Sequence, residues 1–78
     1  MIDCYTLDAT RLLCPMPVIR TQDRVRLLAA GDQLTILGTD PGVLTDIPSW
    51  CRINGHKVVS TEVIGNLITI IIEVGENQ

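Results

Sequence analysis

Two aliphatic runs meet at Gly65-Asn66, and this junction constrains the fold more than any other feature of the 78-residue chain. Glycine in the first position of a two-residue turn suits a type II′ hairpin, whose twist matches that of the strands it joins. The pattern predicts strands over residues 58–64 and 67–74. A two-residue turn pairs Ile64 with Leu67, Val63 with Ile68, Thr61 with Ile70 and Val59 with Ile72. The last three pairs form one largely apolar face, so turn and alternation agree on the register. Residues after Val74 are expected to fray.

Upstream of the hairpin, strand-like and helix-like segments alternate. Residues 4–8 form a short first strand and residues 9–13 a connector. Over residues 15–30, Val18, Thr21, Gln22, Val25, Leu28 and Ala29 recur at helical spacing. Arg20, Asp23, Arg24 and Arg26 supply the polar side, and Gly31 stops the helix where glycine is expected. Residues 33–39 alternate as a second strand, with Leu34 and Ile36 on one face. After the Asp40-Pro41-Gly42 turn, residues 43–54 form a second helix whose N-terminal half is disturbed by Pro48. Asn54-Gly55 ends it.

The order is β-α-β-α-β-β. Right-handed crossovers place both helices on one face of the sheet. The expected fold is α/β (α+β): a two-layer sandwich of a four-stranded mixed sheet and two helices, in one domain over residues 1–78. Strand order 1-2-4-3, with the last strand antiparallel, fills the gap beside the second strand. The outer sheet face would then carry Leu37, Ile64, Leu67 and Ile71, enough apolar surface for self-association or docking or for ordinary scattered exposure.

Composition excludes several classes. At 46% apolar residues the chain is not disordered. The run Ile70-Ile71-Ile72 is too short to cross a membrane. Met1-Ile2-Asp3 does not resemble a secretory leader, so a cytoplasmic location is expected. Nine acids against six bases give a net charge of −3, a poor endowment for direct nucleic-acid binding. Cys4, Cys14 and Cys51 form an odd set without a C-x-x-C pair, and there is one histidine. Free thiols are expected, and neither a disulfide framework nor a structural metal.

Chemistry concentrates at Cys14-Pro15-Met16-Pro17-Val18. With a helix starting at Pro15, Cys14 is its N-cap, a place usually held by Ser, Thr, Asp or Asn. Pro15 and Pro17 fall in the first turn, where neither breaks the ladder. The N–H groups of Met16 and Val18, together with the helix dipole, should favour a thiolate or a persulfide anion. No second cysteine lies close in sequence to resolve a disulfide, which favours carrying over redox cycling. A buried small hydrophobe is the bland alternative for Cys14. His56 and Cys51 are most simply structural.

These residues resemble the TusA/SirA-like sulfur carrier family. The resemblance runs through Leu7-Asp8, Cys14-Pro15-Met16-Pro17, Leu28 with Gly31-Asp32, Asp40-Pro41, Asp46-Ile47-Pro48, Trp50-Cys51 and Gly55-His56. It implies the same β-α-β-α-β-β fold. It also implies that Cys14 accepts sulfane sulfur from a cysteine desulfurase or rhodanese-like donor and relays it as a persulfide to a downstream acceptor protein. In the family this feeds tRNA 2-thiouridine synthesis, sulfur oxidation or cofactor assembly. The sulfur is held covalently, so no cofactor is expected. Two residues depart from the family pattern. Arg11 stands where glycine is common, and is either strained or a positive charge near the sulfur. Met16 stands where glutamate is frequent, an apolar neighbour of Cys14 expected to change which partner docks. Arg11 and Arg20 are candidate partner-docking residues. Two other functions fit the same residues: a non-catalytic interaction or regulatory module, and a thiol-dependent redox protein.

Overall fold

The computed structural model describes residues 3–76. Its elements run β1 (Cys4–Ala9), α1 (Met16–Val25), β2 (Gln33–Gly38), α2 (Val43–Asn54), β3 (Lys57–Ile64) and β4 (Leu67–Glu73). The sheet order is β1-β2-β4-β3, as expected with the last strand filling the gap beside the second. β1 is parallel to β2, and β4 is antiparallel to both of its neighbours.

One face of this sheet is covered. Leu7, Ala9, Leu34, Ile36, Ile68, Ile70 and Ile72 point inward from the strands. Pro17, Thr21 and Val25 of α1 and Val43, Ile47 and Cys51 of α2 meet them. Thr21 enters this core at no polar cost, because its hydroxyl donates to the Pro17 carbonyl at 2.8 Å. On the opposite face Leu37 and Ile71 are half-buried, while Ile64 and Leu67 are exposed at the hairpin tip.

The hairpin departs from the expected register at one point. Gly65 has φ of +60°, no non-glycine residue described has positive φ, and Ile64 pairs with Leu67. That is the type II′ geometry. Thr61 still faces Ile70, but a bulge between Val58 and Ser60 makes Val58, and not Val59, the partner of Ile72. The extra residue reverses the alternation beyond it. Val58 therefore packs on the core and Val59 is exposed.

The first helix departs from the spacing argument, while the second keeps its expected bounds. α1 stops at Val25, not near Ala30. Leu27 and Leu28 continue it only as tight turns, bonding back to Arg24 and Val25 at 3.0 Å. The buried Asp32 side chain accepts the Ala29 N–H at 2.9 Å, drawing that amide away from a helical ladder. The tightened path turns Leu28 into the core and leaves Leu27 outside. α2 is a single helix through Pro48. Its first turn is partly of the tighter kind, with Leu44 and Thr45 bonding to Pro41 and Gly42 at 3.1 Å. Gly55 closes it at φ of +80°, the left-handed conformation glycine adopts freely.

The chain beyond β4 does not fray at once. Val74 is buried and exchanges backbone bonds with Gly31 and Asp32 at 2.8 Å. Gly75 donates its N–H to His56 Nδ1 at 2.9 Å. The expected fraying at residues 77–78 lies outside the described residues.

Candidate functional site

The parallel pairing of β1 and β2 creates the site. Ala9 and Gly38, their last residues, are in register. Both chains therefore leave the sheet on the same edge, where loops of parallel α/β units gather functional groups. The loop after β1 carries Cys14, and the loop after β2 carries Asp40 and leads into α2. Thr39 ties the two together by donating its hydroxyl to the Thr10 carbonyl. Near the end of β1, Asp8 Oδ1 accepts the N–H of Thr10 at 3.0 Å and its hydroxyl at 2.6 Å. These bonds hold the Asp8 carboxyl below the usual carboxylate range, with a smaller contribution from Arg11.

Cys14 is exposed at this edge. Its backbone N–H donates to Asp40 Oδ2 at 2.9 Å. The other oxygen of the same carboxylate accepts the Gly42 N–H at 3.0 Å. Asp40 thus clamps the two loops to each other, and both bonds hold its carboxyl below the usual range. The Cys14 thiol donates to Asp46 Oδ2, with Sγ 3.1 Å away. Asp46 reaches it from the first turn of α2.

This geometry reverses the expected electrostatics. The Cys14 thiol is pushed up, not down, from its ordinary value. The bond to Asp46 is the largest cause, followed by desolvation and by the negative charges of Asp46 and Asp40. The helix N-terminus does not offset this. α1 begins at Met16 with Pro15, not Cys14, as its N-cap, and there is no side-chain cap. The Met16 N–H is already donated to the Leu13 carbonyl at 2.9 Å. Of the two amides expected to stabilise an anion, Val18 N–H alone has no hydrogen-bond partner among the described residues. The prolines keep their expected compatibility with the helix: Pro17 lies in its first turn and is buried against the core. The Cys14–Pro15 peptide is cis.

Arg11 is not strained, since no described non-glycine residue has positive φ. The charged groups that shift Cys14 are Asp46 and Asp40, both acids. Arg11 and Arg20 instead line one open cleft together with Leu7, Asp8, Thr10 and Leu12. Met16 is half-buried.

The remaining cysteines stand apart. Cys51 is in the core, and burial pushes its thiol up to about 11. Cys4 opens β1 at the far edge of the sheet, five residue steps from Ala9, or about 16 Å at the usual strand rise. His56 is structural: it is buried, stacks on Trp50 with ring centroids 4.9 Å apart, and accepts a bond from Gly75. Among the described residues no cluster of His, Cys, Asp and Glu could hold a metal ion, and no helix is long and apolar enough to cross a membrane.

Asp40 and Asp46 are the partners of Cys14 that periodicity and local motif reading miss. They lie 26 and 32 residues from Cys14, and no local pattern links such positions. Their one signal is membership of the ordered set Asp40-Pro41 and Asp46-Ile47-Pro48.

Known proteins resemble this chain in sequence and in fold. The profile of the family described as sulfurtransferase TusA matches residues 5–74. The sulfur carrier protein TusA of Pseudomonas entomophila is 46% identical over 62 residues, which cover 80% of this chain and 78% of that protein. YrkF of Bacillus subtilis is 40% identical over 62 residues, again 80% of this chain. The match spans only about a third of YrkF's own length, 34%. The crystal structure of a SirA-like protein from Desulfitobacterium hafniense superimposes with a TM-score of 0.80 at 27% identity, covering 92% of this chain and 99% of that one.

Proposed function

The chain belongs to the sulfurtransferase TusA family of sulfur carriers, and on that premise we propose that Cys14 is the atom site of the cargo, held as a persulfide. The observation that carries this reading is the exposed Cys14 Sγ on a clamped loop with no second thiol at that edge. Sulfur arrives by thiol attack on the outer sulfur of a donor persulfide. The donor's S–S bond breaks, a new S–S bond forms at Cys14 Sγ, and the thiol proton ends on the departing donor sulfur. Nothing is oxidised or reduced overall, so no cofactor takes part.

The proposed donor is a cysteine desulfurase or rhodanese-type protein, and the acceptor is a second protein. tRNA 2-thiouridine formation is the proposed destination. A net charge of −3 suits delivery to a protein in that route and not contact with RNA. The proposed compartment is the cytoplasm, where free thiols persist. Arg11 and Arg20, which both line one cleft, form the proposed contact with a partner.

Incubation with a cysteine desulfurase and cysteine should add the mass of one sulfur, and Cys14→Ser should abolish the gain. Persulfide that survives in Cys14→Ser but disappears in Cys51→Ser would sink the assignment. The raised thiol favours one competing reading, a non-catalytic interaction or regulatory module on the same fold. Under that reading Cys14→Ala leaves partner binding and phenotype intact.

A further inference from the structure

A carrier with a thiol held in its neutral form poses a chemical question, since the thiolate is the nucleophile. The contact responsible is specific to one atom in one state. Asp46 Oδ2 lies 3.1 Å from Cys14 Sγ and accepts its proton in a hydrogen bond. Asp46 is set in α2 by its neighbour Ile47, which is fully buried, so the carboxylate approaches from a rigid element. The charged groups acting on Sγ are Asp46 from α2 and Asp40 from the loop before it, both acidic.

We propose that Asp46 is a latch on the unloaded carrier: it holds Cys14 Sγ–H as a bonded thiol, and loading with sulfur releases it. The release follows from valence. Once Sγ is part of an S–S bond it has no proton to donate, so the Sγ–H···Oδ2 bond cannot exist. The outer sulfur, which carries the charge of a persulfide, sits a further ~2 Å along the S–S bond. Asp46 therefore quenches the empty thiol more than the loaded sulfur. The empty carrier is protected from adventitious alkylation and oxidation, and the loaded one is reactive. Acceptance requires Sγ–H to leave Asp46; delivery does not. Asp46 thereby acts on the direction of the relay. This inference rests on the persulfide reading for its loaded arm, while its unloaded arm stands without it.

The test uses the full chain in a Cys4→Ser background, so that Cys14 is the exposed thiol. Thiolate absorbance and iodoacetamide alkylation are followed against pH, with and without Asp46→Asn. Wild-type Cys14 should titrate above an ordinary free thiol. Asp46→Asn should move the titration down and speed alkylation at neutral pH roughly threefold or more, since rate follows thiolate fraction. The same reagent is then applied after loading with inorganic polysulfide, where the gain from Asp46→Asn should be smaller than for the thiol. Unchanged or slower alkylation of the empty variant overturns the latch, as do equal gains in both forms. Should Asp46→Asn fail to fold, the wild-type titration still decides, because a Cys14 at or below an ordinary thiol overturns the proposal. Failure to load in either protein counts against the persulfide reading and leaves the unloaded comparison to judge the latch.

Discussion

Replacing Gly75 with alanine should strike the corner where the end of the chain meets the end of α2. A Cβ placed there falls 1.8 Å from the Gly55 carbonyl oxygen and 2.8 Å from its carbon. Both are backbone atoms, and Gly55 is held in the left-handed closure of α2, so the yielding partner must be the chain after β4. Lifting it breaks the Gly75 N–H bond to His56 Nδ1, worth about 1 kcal/mol net. It also uncovers Val74, which is 2% exposed, at ~1.5–3 kcal/mol for full exposure of such a side chain. Alanine restricts the unfolded chain and returns about 0.4–1 kcal/mol. The net loss is about 2–3 kcal/mol, a large share of the ~0.05–0.15 kcal/mol per residue that small domains possess. At about 4–8 °C per kcal/mol for a domain of this size, Tm should fall by roughly 10–20 °C. Trp50 is the chain's one tryptophan and stacks on His56 at this corner, so its fluorescence in urea reports the transition directly. Gly38→Ala is the matched control: its Cβ would meet Val43 side-chain atoms at 3.5 Å, ordinary contact, and stability should hardly change. A Gly75→Ala protein as stable as wild type would refute the close approach and the anchoring of Val74 with it.

Acid should weaken the same corner through His56. Burial holds its imidazole below the ordinary 6.5, and Nδ1 must be unprotonated to accept from Gly75. The unfolded chain therefore takes up this proton first as pH falls. The contribution is full above about pH 6.5, and it declines below that until the folded imidazole protonates as well. Urea midpoints measured from about pH 7.5 downward should show the decline, and His56→Gln should lose that component. Cys51, with its thiol at about 11, should resist alkylation at neutral pH in the folded protein and react on unfolding. Mass mapping that finds Cys51 modified under native conditions would place it outside the core.

Most of the architecture was legible in local patterns. The Gly65-Asn66 turn and the alternation around it specify a hairpin, and parallel crossovers on one face follow from the β-α-β-α order. Each error has a local cause that periodicity does not encode. The bulge at Val58 and Ser60 is a one-residue insertion in an otherwise regular alternation. The early end of α1 depends on the buried Asp32 carboxylate accepting the Ala29 amide, a contact visible only once the turn has closed.

At Cys14 the division is sharpest. The residues alone pointed to Cys14 as the position to examine: a cysteine ahead of two prolines, without a resolving thiol, at the start of a helix. They also suggested the wrong sign for its acidity, because a helix N-terminus argues for an anion. The tertiary structure decided that sign. Parallel pairing of β1 and β2 delivers two loops to one edge, and the second loop, with the helix it begins, brings Asp40 and Asp46 to the first. Hydrogen bonds and charge act over a few ångströms of space and not over sequence. Carboxylates 26 and 32 residues away therefore outweigh the amides next door.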